Sequence, residues 1–117
     1  MNRDLDFLLS AIALRDVDAF AEWMSHAEMP LRLSLSSFAR MVDTEAVVQE
    51  TLIRVWTVAP RFEADGAPNA LFRFAVRVAR NLAVSELRRV RRAPVTEMND
   101  AVESEGVAWA PPDPLLR

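Results

Sequence analysis

One stretch of the chain is crowded with arginine. Residues 77–92, RVARNLAVSELRRVRR, hold six arginines in sixteen positions and no lysine. Guanidinium is planar, permanently charged, and carries a fork of donors that matches phosphate oxygens two at a time. On a helical wheel of about 3.6 residues per turn, Leu71, Phe72, Ala75, Val76, Val78, Ala79, Leu82, Ala83, Leu87 and Val90 share one broad side. Arg73, Arg77, Arg80, Asn81, Arg88, Arg91 and Arg92 share the other. Phe74 and Ser85 stand at the border, and Glu86 and Arg89 fall near the apolar side. A solvated helix face normally intersperses acids that make i,i+4 pairs, yet Glu86 is the only acid between 71 and 92. A one-sided arginine stripe with an aromatic at its edge fits nucleic acid, the arginines on phosphates and Phe74 stacked on an unpaired base.

A second constellation lies upstream, in DTEAVVQETLIRVWTVA (43–59). Val47, Val48, Leu52, Val55, Val58 and Ala59 fall on one side of a wheel. Ala46, Gln49, Glu50, Ile53 and Arg54 fall on the other, with Trp56 at the edge. An isoleucine flanked by Gln49, Glu50 and Arg54 is an apolar spot on a polar face, a pattern of protein interfaces. A single exposed isoleucine carries no such meaning by itself.

Helices must position both constellations. Residues 3–14 read as a first helix with Phe7, Leu8, Ile12 and Leu14 near its buried side. Asp16 or Asp18 can cap a second through AFAEWMSH. Pro30 suits the first turn of a third. Asp43 or Thr44 caps a fourth that runs to about Ala59. Gly66 and Pro68 punctuate a loop over 60–70, and a long helix follows from about Asn69 to Arg92. Pro94 closes it, and the acidic segment 94–117, with Pro111, Pro112 and Pro114, reads as a linker or tail. The expected fold class is all-α, a small bundle of four to five helices over residues 1–93.

Composition narrows the function. The chain has 117 residues, a net charge of −3 and no cysteine, so it holds neither a disulfide framework nor a thiolate metal site. Its one histidine, His26, leaves little for a metal centre and reads as a surface or half-buried helix residue rather than a switch. Trp23, at helical spacing from Phe20, reads as core. No glycine-rich phosphate loop appears, and Ser34, Ser36 and Ser37 lack a base to activate them. No enzyme, metal or cofactor is expected, nor a membrane span. The charge is uneven: net −4 over 1–31, +5 over 32–92 and −4 over 93–117. A basic middle between acidic ends points to a local anionic partner.

The two constellations, in this order and spacing, resemble region 2 of bacterial RNA polymerase sigma factors, most closely the extracytoplasmic-function group. DTEAVVQETLIRVW (43–56) is similar to that family's DAEDLVQETFLRVW, and LFRFAVRVARNLAVSELRRVRR (71–92) to FRAWLYRIARNLALDxLRRxRR. PRF (60–62) matches the start of the intervening loop, and RDVDAFAEWM (15–24) the start of the domain. Ala46 stands where the family pattern has an acid, Phe74 where it has tryptophan, and Ser85 where it has aspartate.

The resemblance implies a transcription-initiation module in the cytoplasm. Its partners would be core RNA polymerase and promoter DNA. Glu45, Ala46, Gln49, Glu50 and Ile53 would face the clamp helices of the β′ subunit. The loop from Glu63 to Asn69, with Phe74, would capture a flipped-out base of the −10 non-template strand. Arg73, Arg77, Arg80, Asn81, Arg88 and Arg91 would steer the duplex and the single strand. The second helical domain of this group, which reads the −35 element, is expected to be absent from the sequence. Two rival readings stand beside this one. The chain could be a sigma-like decoy for an anti-sigma factor. Its acidic tail (Glu97, Asp100, Glu103, Glu105) could instead lie on the basic face as a DNA mimic.

Overall fold

Two aspartates start the middle helices. Asp16 and Asp43 have extended backbones, and their side chains accept from the Ala19 and Ala46 N–H groups, each at 3.1 Å. Each satisfies a donor that the first helical turn leaves without a partner. Of the alternatives open in the sequence, the caps are thus Asp16 rather than Asp18, and Asp43 rather than Thr44. The computed structural model describes residues 3–92 as an all-α bundle: α1 Leu9–Ala13, α2 Val17–Ser34, α3 Thr44–Val58 and α4 Ala70–Arg92. A turn of 3₁₀ helix at Asp6–Leu8 leads into α1, and further turns at Ser36–Phe38 and Ala59–Arg61 follow α2 and α3. The expected linker 94–117, its Trp109 and the placement of its acids lie outside the described residues.

The core is a set of helical stripes. α2 contributes Phe20, Trp23, Ala27 and Leu31, at spacings of three and four. Phe20 stacks on Trp23, with ring centroids 5.8 Å apart, and tilts against Trp56 at 5.0 Å. Trp23 is buried as its spacing suggested, and truncating such a residue to alanine costs about 3–5 kcal/mol. α3 contributes Val47, Val48, Thr51, Val55 and Val58. α4 lays Leu71, Phe74, Ala75, Val78, Ala79 and Ala83 against them. Alanines one turn apart at 75, 79 and 83 keep this side of α4 narrow, and α3 with α4 is the most extensive helix pairing in the bundle. No residue of α4 beyond Ala83 is fully buried among those described.

Two expectations need correction. Pro30 does not open a new helix; it lies inside the continuous α2. The carbonyl left without its i+4 N–H donor belongs to His26, an exposed residue, so water can replace the lost bond. The first helix is also shorter than expected, a 3₁₀ turn followed by α1. That change of pitch keeps Leu5, Leu8 and Ile12 buried but turns Phe7 and Leu14 outward. α1 ends with the Asp16 N–H on the Ala11 carbonyl at 3.0 Å and the Arg15 N–H on Ile12 at 2.9 Å. This is a Schellman-type close, with Arg15 at φ 70° in the position that glycine usually takes. Arg15 is held there by a hydrogen bond to the Trp56 carbonyl at 2.5 Å and by its guanidinium 4.8 Å from the Trp56 ring centroid.

Candidate nucleic-acid interface

α3 turns Glu45, Ala46, Gln49, Glu50 and Ile53 outward, all five exposed, with Ile53 at 59%. The five residues singled out in the sequence therefore share one accessible face. Its charges are matched within the protein. Glu45 takes two bonds from Arg32 of α2, at 2.7 and 3.1 Å, and Arg32 also reaches Glu28 at 3.3 Å. Glu50 pairs with Arg54 one turn on, at 3.2 Å. Beside Ile53 runs an apolar groove of about 420 Å³ lined by Val17, Phe20, Met24, Leu52 and Trp56.

α4 presents the arginine stripe, but its members are not equivalent. Arg77 and Arg91 are exposed and make no ion pair among the described residues. Arg80 is exposed too, yet it donates to the Ser34 carbonyl at 2.8 Å and sits 5.5 Å from the Phe38 ring centroid. It thereby satisfies the last turn of α2, where a cation suits the helix dipole. Asn81 and Arg88 are half-buried. Glu86 and Arg89, the misfits of the wheel, bond to each other, and this bond holds the Glu86 carboxyl below its usual range.

Arg73 is spent on the loop before its helix. It makes a two-pronged bond to Asp65, 2.8 Å on each prong, and donates to the Pro68 and Ala67 carbonyls at 3.1 and 3.0 Å. Arg73, followed by the Ala67 N–H at 3.0 Å, holds the Asp65 carboxyl well below the usual carboxylate range. Glu63, Ala64, Asp65, Gly66, Ala67 and Pro68 are all exposed. Gly66 has φ 88°, a conformation that glycine adopts without strain.

Two expected DNA contacts have other roles here. Phe74 is only 5% exposed and packs against Phe62, with centroids 5.3 Å apart. The turn after α3 folds Phe62 back over it, so the ring is core rather than a free stacking platform. Asn69 is half-buried with φ 56°, and its side chain is bonded to the N-terminal segment. Its Oδ1 accepts from the Leu5 N–H at 2.8 Å, and its Nδ2 donates to the Arg3 carbonyl at 3.0 Å.

Sequence reasoning missed the partners of these groups. Asp4 accepts from the Asn69 N–H at 3.0 Å. Asp6 accepts from the Ala70 and Leu71 N–H groups at 2.7 and 3.3 Å, and so caps α4 from outside. No acid stands in the first turn of α4 itself, which was the available signal that a carboxylate must come from elsewhere. Arg32 signalled only its i,i+4 pair with Glu28 on α2; its bond to Glu45 on another helix carried no signal.

The comparisons bear on this arrangement. A family model, Sigma-70 region 2, matches residues 23–93, more than half of the chain. No curated protein and no solved structure matches the chain.

Proposed function

Because the chain belongs to the Sigma-70 region 2 family, we propose that its two exposed faces divide the work of a transcription-initiation module. In this reading α3 docks on core RNA polymerase, and α4 with the loop before it meets the promoter −10 element. Family membership carries the coarser role, promoter recognition together with binding of core polymerase, and the family is not one of enzymes. The resemblance to the extracytoplasmic-function group supplies the finer assignment. Glu45, Ala46, Gln49, Glu50 and Ile53 face the β′ clamp helices. Arg77, Arg91 and Arg88 run along the DNA backbone. Arg73 and Arg80 flank them while bracing the loop and α2. The working place is that of the polymerase, the cytoplasm.

One observation supports this division above others. Every charged side chain of α3 is paired within the protein, whereas α4 holds two exposed arginines, Arg77 and Arg91, that make no ion pair among the described residues. A charge-matched face with an apolar centre suits a protein partner. Unmatched guanidinium groups suit a polyanion, because each phosphate they neutralise releases counterions. Opening the −10 element costs about a few kcal/mol per unstacked base. Binding of the released strand to the loop and the stripe offsets that cost without a nucleotide cofactor.

The test is binding of the purified chain, with core polymerase, to a single-stranded −10 non-template oligonucleotide over a range of salt. Steep salt dependence that flattens in an Arg77→Ala/Arg91→Ala variant is expected. Equal affinity and equal slope for the variant would remove α4 from the DNA interface.

A second reading, a decoy that binds an anti-sigma factor, is favoured by the uncharged, exposed Ala46 and by the apolar groove beside Ile53. Retention of core polymerase in a pull-down supports the first reading. Capture of only a small helical regulator supports the second.

A further inference from the structure

We propose that the N-terminal segment Arg3–Asp6 is a positioning device for base recognition, clasping Asn69 and the first turn of α4 so that the exposed loop before them keeps one shape. The inference rests on the reading above, in which that loop meets the unpaired base. Five hydrogen bonds join the two segments across 64 to 66 residues of sequence. The Leu5 N–H reaches Asn69 Oδ1 at 2.8 Å, Asn69 Nδ2 reaches the Arg3 carbonyl at 3.0 Å, and the Asn69 N–H reaches Asp4 at 3.0 Å. Asp6 takes the Ala70 and Leu71 N–H groups at 2.7 and 3.3 Å. Asp4 also accepts from the Asp6 N–H at 3.0 Å, which fixes the two carboxylates relative to each other. Leu5, 1% exposed between them, plugs the segment into the core.

The loop needs such a clasp because it has no apolar anchor of its own. From Glu63 to Pro68 every residue is exposed, so burial contributes nothing to its shape. It is held instead at its α4 end, from two sides. Arg73 gathers Asp65, Ala67 and Pro68 from the helix side. The N-terminal segment fixes Asn69, the residue where the chain turns through φ 56° into α4. Left-handed backbone disfavours most side chains, and asparagine tolerates it. None of Asp4, Asp6 and Asn69 need touch DNA. They act through the loop, as positioning residues.

The experiment uses the full chain and two variants. Asp6→Ala removes the outside cap. Asn69→Gly keeps the left-handed turn accessible and removes both side-chain bonds. Affinity is measured for the −10 non-template oligonucleotide and for copies with each base replaced in turn. A fall in base discrimination of about tenfold is expected, with an unchanged salt slope because no cation is lost. Asp6→Asn, whose amide oxygen still accepts, restores part of the discrimination. Slow amide exchange in α3 verifies that each variant is folded, while the Ala70 and Leu71 amides exchange faster in Asp6→Ala. Wild-type discrimination in both variants overturns the inference and leaves the loop reading standing. A wild-type chain that does not discriminate among bases overturns the loop reading, and this inference with it.

Discussion

The exposed faces of α3 and α4 differ in how their charge is spent. On α3, Glu45, Glu50 and Arg54 each have a partner within the protein, and the one large apolar residue of the face, Ile53, stands exposed among them. On α4, Arg73 and Arg80 are drawn into the loop and the end of α2, and Arg77 and Arg91 make no ion pair among the described residues. A count of charges along each helix would have made α4 uniformly basic. The structure divides its cations into those that bond within the domain, such as Arg73 and Arg80, and those that make no ion pair among the described residues. Neutral faces win affinity from buried apolar area and fit, whereas unmatched cations win it from counterion release and lose it in salt.

The largest test of this contrast is the Arg77→Ala/Arg91→Ala pair. Losing two phosphate contacts should lower the slope of log affinity against log salt by about 1.4 on single-stranded DNA. Core polymerase retention should not change. A variant that loses polymerase and keeps DNA would invert the assignment of the two faces. Next comes Ile53→Asp, which puts a charge at the apolar centre of the α3 face. A central interface residue of this kind is worth about 2 kcal/mol, so polymerase affinity should fall by about thirtyfold while the DNA salt slope stays put. Because Ile53 is already exposed, thermal stability should hardly move, and a collapse in melting temperature would instead mark it as core. Smaller again is Arg32→Ala. Exposed ion pairs contribute little to stability, so the fold should survive. Glu45 would then be free to swing, and a weakening of polymerase binding by a few-fold, read by titration, would show that its fixed orientation matters.

The elements that dispose these faces were legible because their causes are local. Asp16 and Asp43 announce helix starts by chemistry confined to three residues. The apolar stripe of α4 announces its inner side by period, and the five outward residues of α3 follow from the same rule. What stayed hidden depends on distant partners. Pro30 marks a helix start by propensity, and only packing on both sides of it carries α2 through. Phe74 sits at the border of a wheel, and burial is decided by Phe62, which arrives from the loop. Thr51 is fully buried although its hydroxyl suits a surface. Asn69 reads as a loop polar residue until Arg3, Asp4 and Leu5 come to it from the other end of the domain. Arginines on one face likewise look alike in sequence, because no pattern within α4 says that Ser34 or Asp65 will claim one of them.

The smallest expected effect sharpens the boundary between spent and free cations. Asp65→Asn removes the carboxylate that holds Arg73, and the freed guanidinium joins the stripe. The salt slope on single-stranded DNA should steepen by about 0.7, one further phosphate, while base discrimination falls because the loop loses one of its holds. Acid should do the same by protonation, and the sign follows from the direction of the shifts. Asp65, bonded by Arg73, and Asp4, bonded by the Asp6 and Asn69 N–H groups, both titrate below the ordinary carboxylate value of 3.8. Their contribution is therefore complete above that value and is lost only as pH falls below it, toward the lower folded-state values. Between pH 8 and pH 5 the Ala67 and Asn69 amides, which donate to these two carboxylates, should keep their protection against exchange once the intrinsic rate is corrected for. Loss of that protection already at pH 5 would mean that the loop is held by something other than these carboxylates, and Arg73 would then belong with the free arginines of α4.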